Sequence, residues 1–165
     1  MERIAEGRIR DVREARDALQ VIDRQVDRLS NLVAQLMDIS RLETGELRLE
    51  RRMVDLVPLT RSVVEAMQAG TTRHHLSLEA PESLIAYVDP LRVQEVLYSL
   101  VDNAIRYSPR GGPVDVTLST PRPDTVRIAV RDYGIGVPPE QRGQLFTRFF
   151  QAARRPAGGL GLGLY

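Results

Sequence analysis

The sequence predicts an α+β protein: a long N-terminal helix, then an α/β sandwich whose mostly antiparallel sheet carries helices on one face. Three observations predict it. Apolar residues keep helical spacing from Asp11 to about Leu42. Beyond Leu47, short runs with period-two alternation are interleaved with two further helical patterns. Turn residues mark each change, at Thr44-Gly45, Ala69-Gly70, Ser108 to Pro113 and Pro121 to Asp124. With 165 residues the chain suits one ordinary domain with a helical appendage, divided at 1–46 and 47–165. Hydrophobic content of 42% and charged content of 27% suit a packed core. A net charge of +1 gives no field for nucleic acid. All 23 basic residues are Arg, to which no function is attached. The lack of Cys excludes disulfides, thiol catalysis and thiolate metal sites. No apolar run reaches the roughly 18 residues of a spanning helix and no signal peptide is visible, so a cytoplasmic location is expected.

The elements follow in order. Asp11 can cap the first helix, with Glu14 as its capping-box partner. Leu19, Ile22, Val26, Leu29, Val33 and Leu36 step by threes and fours along it. This heptad-like seam calls for a partner helix rather than for packing on the rest of the chain. Gly45 is the natural stop. Leu47, Leu49 and Arg51 lead into a strand completed by Val54 and Leu56. Pro58 fits the first turn of a helix to about Gln68. Strands are predicted over His75–Glu79 and Ile85–Val88. Asp89 caps a helix from Pro90 to about Tyr107, with Val93, Val96, Leu97, Leu100, Val101, Ala104 and Ile105 on its apolar side. Val114, Val116 and Leu118, then Val126, Ile128 and Val130, form a hairpin around Pro121, Pro123 and Asp124. Pro138-Pro139-Glu140 opens a short helix to about Phe146, and the remainder is loop.

Chemistry concentrates in the second half. Asp132 closes a strand and is followed by Gly134 and Gly136, which allow tight turns and close backbone approach. A carboxylate there suits an exocyclic amino group such as that of adenine, and it equally suits an ordinary turn. Asn103 lies on a helix, where its amide oxygen fits a hard cation carried by phosphates, or an exposed cap. Arg106 and Tyr107 stand one turn on, where a guanidinium could meet a phosphate and a ring could border a pocket. Gly158, Gly159, Gly161 and Gly163, interleaved with Leu160, Leu162 and Leu164, can present backbone N–H groups to phosphate oxygens. The run is neither a P-loop nor a dinucleotide fingerprint, because no G-K-[ST] and no strand–helix–strand unit accompanies it. His74 and His75 have no third ligand in sequence and are read as an exposed pair at a strand edge.

Taken in this order, these residues resemble the sensor histidine kinases of two-component signalling, in the GHKL (Bergerat) ATP-binding superfamily. Val96 to Pro109 is similar to the family's N box, Asp132 to Gly136 to its G1 box, Leu145 to Phe150 to its F box and Gly158 to Leu164 to its G2 box. Leu19 to Glu50 resembles the second helix of the dimerisation and phosphotransfer hairpin and the start of the catalytic domain. The resemblance implies a Bergerat-type sandwich that binds ATP with Mg²⁺. Asn103 would hold the metal, with Ser99 able to assist. Asp132 would bind the adenine amine, with Gly134 and Gly136 shaping that wall. Arg106 and Tyr107 would border phosphates and base, and Gly159, Leu160, Gly161 and Gly163 would bracket the phosphates. Gln151 to Ala157 would be a short lid. The implied activity is transfer of the γ-phosphoryl group to a His, then to a response regulator.

Three departures from the family pattern shape the expectation. The phosphoacceptor His and its helix are absent from the chain, so no catalytic residue is assigned and the chain alone is not expected to phosphorylate itself. Ser99 stands where the family usually has the first Asn of the N box. The family's closing helix and strand are also missing, so a C-terminally truncated sandwich is expected. The implied parent is a membrane-anchored homodimer, joined through the N-terminal helix, with this part in the cytoplasm. The alternative is a dimerisation or nucleotide-binding module without kinase activity. A gyrase-like ATPase fits less well, because its N-box glutamate would stand at Ser99 and Glu95 is one turn too early.

Overall fold

The computed structural model describes residues 15–19, 21–23, 26, 33, 37, 41–42, 44–148, 150 and 164. The chain divides into two compact units, Met1–Arg48 and Leu49–Tyr165. In the first, residues 15–19, 21–23, 26, 33, 37 and 41–42 are helical. Leu19, Ile22, Val26 and Val33 of the predicted seam are exposed. The proposed Asp11–Glu14 cap lies outside the described residues. The helix stops at Gly45 as its sequence suggested: φ is +69°, a left-handed value that glycine adopts without strain. The Glu46 N–H reaches back to the Arg41 carbonyl at 2.8 Å and the Gly45 N–H to that of Leu42 at 3.2 Å. These are the two bonds of a Schellman stop, which satisfy carbonyls the helix leaves open.

The second unit runs β1 (Arg52–Asp55), α1 (Leu56–Ala69), β2 (His74–Glu79), β3 (Ile85–Val88), α2 (Pro90–Arg106), β4 (Gly112–Arg122), β5 (Thr125–Asp132) and a 3-10 helix (Pro139–Gln144). Strand pairing is mostly antiparallel, as expected, but the strands do not form the expected single sheet. They form two sheets: an antiparallel β1–β3 ribbon, and a three-stranded sheet in the order β2–β4–β5. Within the latter, β2 and β4 are parallel, with Leu76 opposite Val114, and β4 and β5 are antiparallel, with Val116 opposite Val130. The parallel pair has a physical cause. The chain between β2 and β4 includes α2, and a helical crossover returns the chain in the same direction. The hairpin β4–β5 turns at Pro123-Asp124, and β4 continues through Pro121 with a register irregularity between Ser119 and Arg122.

Period-two alternation decides which face is buried. Val114, Val116 and Leu118 point inward with Leu76, and they meet Leu56, Val57 and Val64 of α1 and Val101 and Ala104 of α2. The sheet's other face carries Asp115, Thr117, Arg127 and Arg131, which remain partly or fully exposed.

Both helices begin with an aspartate that does more than cap. Asp55 accepts from the Val57 N–H at 3.0 Å, and also from the Leu84 N–H at 3.0 Å and the Ser83 hydroxyl at 2.9 Å. Asp89 accepts from Leu91 and Arg92 N–H groups at 3.0 and 3.3 Å, and from the Glu50 N–H at 2.9 Å. Pro90 at the first helical position costs α2 no bond, since that N–H would be unpaired. The Leu84 N–H lowers the Asp55 pKa most and the Glu50 N–H that of Asp89, because each hydrogen bond favours the charged form.

Leu56→Ala should cost about 2–5 kcal/mol, since a buried leucine leaves a cavity that its neighbours fill only in part. Urea denaturation monitored by circular dichroism measures this. Asp55 and Asp89 both lie below their ordinary pKa of 3.8 when folded. Their stabilisation is therefore complete above that value and is lost as pH falls toward the folded-state values. The urea midpoint should stay level from about pH 7 to about pH 5 and drop as pH falls through and below 3.8, and Asp89→Asn should flatten that drop.

Candidate nucleotide-binding site

The site is assembled where the end of β5 meets the end of α2. Asp132 is the last residue of β5 and is exposed. Its Oδ1 accepts the Gly134 N–H at 2.9 Å, closing a local turn that orients the carboxylate. Its Oδ2 has no protein partner among the described residues. A carboxylate held by one oxygen and open at the other can accept an N–H from a bound amine.

The two glycines act for different reasons. A Cβ on Gly134 would stand 1.9 Å from the Tyr107 carbonyl oxygen and 2.7 Å from the Ser108 hydroxyl, so only glycine fits. The next residue completes the junction: the Ile135 N–H donates to the same Tyr107 carbonyl at 2.9 Å. Gly136 meets no neighbour but has φ +65°, a value that side-chain-bearing residues rarely adopt. The turn after β5 is thereby locked onto the C-terminal end of α2.

α2 presents the remaining residues. Its apolar stripe buries Leu97, Val101 and Ala104. Ser99 and Asn103, one helical turn apart, are half-buried on a neighbouring face. The Asn103 carbonyl accepts the Tyr107 N–H at 2.8 Å, while its side-chain amide has no partner among the described residues. Arg106 forms an ion pair with Asp102 at 3.0 Å, one turn earlier. Among the described residues no group of three His, Cys, Asp or Glu side chains could hold a metal ion. The oxygens of Asn103 and Ser99 are hard donors that fit Mg²⁺ as one or two ligands beside phosphate and water.

A polar network that sequence reasoning missed holds the turn from the sheet's outer face. The Tyr133 hydroxyl donates to Asp115 Oδ2 at 2.9 Å, and the Ser77 hydroxyl to Asp115 Oδ1 at 2.8 Å. The Arg131 guanidinium lies 4.8 Å from the centre of the Tyr133 ring. The Ser77 hydrogen bond, followed by that of Tyr133, lowers the Asp115 pKa, and the bond to Asp115 raises that of Tyr133. Alternation in sequence places Asp115, Arg131 and Tyr133 on one face. Only the register, with Asp115 opposite Arg131, brings them together.

The histidines correct an expectation. They are not an exposed pair. His74 is 9% exposed, with Nδ1 2.9 Å from the Thr71 hydroxyl and Nε2 2.9 Å from the Ser108 carbonyl. His75 faces the other side and is exposed. Strand alternation accounts for the split, because β2 begins at His74 rather than His75. Gly159, Leu160, Gly161 and Gly163, with Gln151–Ala157, lie outside the described residues. A cavity of about 490 Å³ opens beside Val93, Val96, Leu97 and Leu100 of α2 and contains none of the predicted site residues.

Residues 88–165 match the family described as histidine kinase-, DNA gyrase B-, and HSP90-like ATPase. The chain belongs to this GHKL-type family and carries an ATP-binding domain of the sensor histidine kinase kind. The particular relatives are informative. The alginate biosynthesis sensor protein KinB of Pseudomonas aeruginosa is 37% identical over 155 residues, covering 92% of this chain and 26% of its own length. The histidine kinase AdeS of Acinetobacter baumannii superposes with a TM-score of 0.74 at 27% identity, over 99% of this chain and 76% of that one. Full-length ShkA, crystallised with AMPPNP, gives a TM-score of 0.72 at 27% identity, over 92% of this chain and 32% of that one. The chain spans about a quarter to a third of the length of the curated relatives it matches. The mixed α/β architecture agrees with the Bergerat-type fold expected from the sequence.

Gly134→Ala should force β5 away from α2 and lower stability by about 1–3 kcal/mol, the usual cost of overpacking. A thermal melt measures it. Gly136→Ala should cost less, since it brings strain in φ but no clash, and the order of the two melting temperatures tests the distinction. Tyr133→Phe should raise the Asp115 pKa toward 3.8 by removing one of the bonds that hold it down. Titration of the Asp115 side-chain carbon by NMR follows this.

Proposed function

We propose that this chain is the ATP-binding catalytic portion of a sensor histidine kinase, passing the ATP γ-phosphoryl group to a His supplied by another helix. The observation that carries the reading is the junction of Gly134 and Ile135 with the Tyr107 carbonyl, at 2.9 Å for the Ile135 N–H. It joins the Asp132 turn to the helix that bears Asn103, so that a base-recognising carboxylate and a metal-binding amide belong to one rigid junction.

Asp132 accepts the adenine amino N–H through its open carboxylate oxygen. Asn103, assisted by Ser99, takes a Mg²⁺ ion that arrives with the phosphates. Bound Mg²⁺ would neutralise charge on the phosphate oxygens. Tyr107 borders the base. Arg106 can exchange its Asp102 partner for a phosphate, a pairing for which a guanidinium suits either anion. Gly134 and Gly136 shape the adenine wall, and Gly159, Leu160, Gly161 and Gly163 offer backbone N–H groups to the phosphates. Phosphoryl transfer needs positioning and charge neutralisation more than covalent help from the protein. His74 is not the acceptor, since both its ring nitrogens are engaged within the fold.

The exposed Leu19, Ile22, Val26 and Val33 support a homodimer formed through the N-terminal helix. A response regulator receiver domain would take the phosphoryl group onward, and the parent protein would be anchored in the inner or plasma membrane with this part in the cytoplasm. Among the described residues no helix is long and apolar enough to cross a membrane. A second reading, a nucleotide-binding dimerisation module without transfer, rests on Ser99 in place of the usual asparagine.

Calorimetric titration with Mg-ADP, and with ADP plus chelator, tests the site directly. Metal-dependent binding in the micromolar range is expected. Asp132→Asn should abolish it, because the amide's single oxygen is needed by the Gly134 N–H and its NH2 would then face the adenine N–H. Asn103→Ala should remove the metal-dependent part alone, so that the two proteins bind alike in chelator. Unchanged affinity in Asp132→Asn would sink the assignment of Asp132.

A further inference from the structure

His74 is unexplained by the nucleotide chemistry, yet it is the buried histidine at the first position of β2. Its two nitrogens contact two different segments. Nε2 lies 2.9 Å from the Ser108 carbonyl, and a carbonyl only accepts, so Nε2 carries the proton. Nδ1 then accepts from the Thr71 hydroxyl at 2.9 Å. In the neutral ring these partners select the Nε2–H tautomer. Gln68 of α1 secures the backbone beneath it, donating to the His74 carbonyl at 3.1 Å and accepting the Leu76 N–H at 2.8 Å.

The far end of this chain of bonds reaches the site. Ser108 directly follows Tyr107, whose carbonyl holds Ile135 and leaves no space at Gly134. The Ser108 hydroxyl is buried and has no partner among the described residues; its N–H donates to the Ile105 carbonyl at 3.3 Å, and its carbonyl is shared by His74 and the Gly111 N–H at 2.9 Å. We infer that His74 is a positioning residue for the nucleotide site: its Nε2–H fixes the Tyr107–Ser108 turn, and that turn sets the Gly134-Ile135 backbone beside Asp132. His74 touches no nucleotide in this role. It acts through two consecutive peptide units, one bonded to its ring and the other to the Asp132 turn. The role rests on the nucleotide reading of Asp132.

The test compares His74→Leu, which removes the donor, with His74→Gln, whose amide can return an N–H toward the Ser108 carbonyl. The full chain is used for both. Mg-ADP affinity is measured by calorimetry, and the exchange rate of the Ile135 amide by NMR without nucleotide. His74→Leu should weaken Mg-ADP binding by about tenfold and accelerate Ile135 exchange, consistent with the loss of one buried hydrogen bond. His74→Gln should restore most of both. Equal losses in the two variants would mean that packing, not the donor, matters, and would overturn the inference. So would unchanged affinity in a folded His74→Leu protein. If His74→Leu does not fold, ring nitrogen shifts of the unaltered chain decide: an Nε2–H tautomer supports the link and an Nδ1–H tautomer overturns it. Failure of the unaltered chain to bind Mg-ADP overturns the nucleotide reading and this role with it. Binding by the unaltered chain that His74→Leu retains overturns only the role of His74.

Discussion

The carbonyl of Tyr107 bears on every other feature of the site. The last carbonyls of a helix have no partner within it, and each must find one elsewhere. Here the open carbonyl at the end of α2 receives the Ile135 N–H, and Gly134 packs against it with no room for a side chain. A helix end that needed a donor and a strand end that needed an anchor thus satisfy each other. The pairing carries information as well as stability: it sets the distance between a helix bearing Asn103 and a strand ending in Asp132. A site on two separate elements is only as well defined as the contact between them, and this contact is backbone to backbone, independent of side-chain rotamers.

Three aspartates show the same economy at other points. Asp55 and Asp89 each cap a helix with one set of bonds and hold a distant backbone N–H with another. Asp115 gathers hydroxyls from Ser77 on β2 and Tyr133 beyond β5, across the width of the sheet. An ionised carboxylate can accept several bonds from different directions, which suits it to join segments that are far apart in sequence. The Asp132 turn is consequently held from both sides, by Tyr133 on the outer face of the sheet and by Tyr107 on the helix side.

Much of the site was legible because its motifs are local. Asp89-Pro90 announces a helix start through capping and the missing N–H of proline. Period-two alternation assigned Val114, Val116 and Leu118 to the buried face. Residue chemistry alone places Asp132 at the end of its strand and Gly45 at the end of its helix. Gly134 and Gly136 are legible in sequence as glycines for tight turning and close backbone approach. The structure divides the two reasons between them: the Tyr107 carbonyl approaches closely at Gly134, and the positive φ falls at Gly136.

The sequence by itself determined the order of the elements, the faces they bury and the residue types gathered at the site, because capping, turn chemistry and periodicity act within a few residues. Only the tertiary structure decided which strands pair and in what register. The parallel union of β2 and β4 follows from α2 crossing between them, a global event that no local pattern encodes. That union brings Ser77 beside Asp115 and sets β2 against the Ser108 loop, where His74 is buried rather than exposed. Alternation tells a side chain which face it is on, while the register tells it which partner it meets.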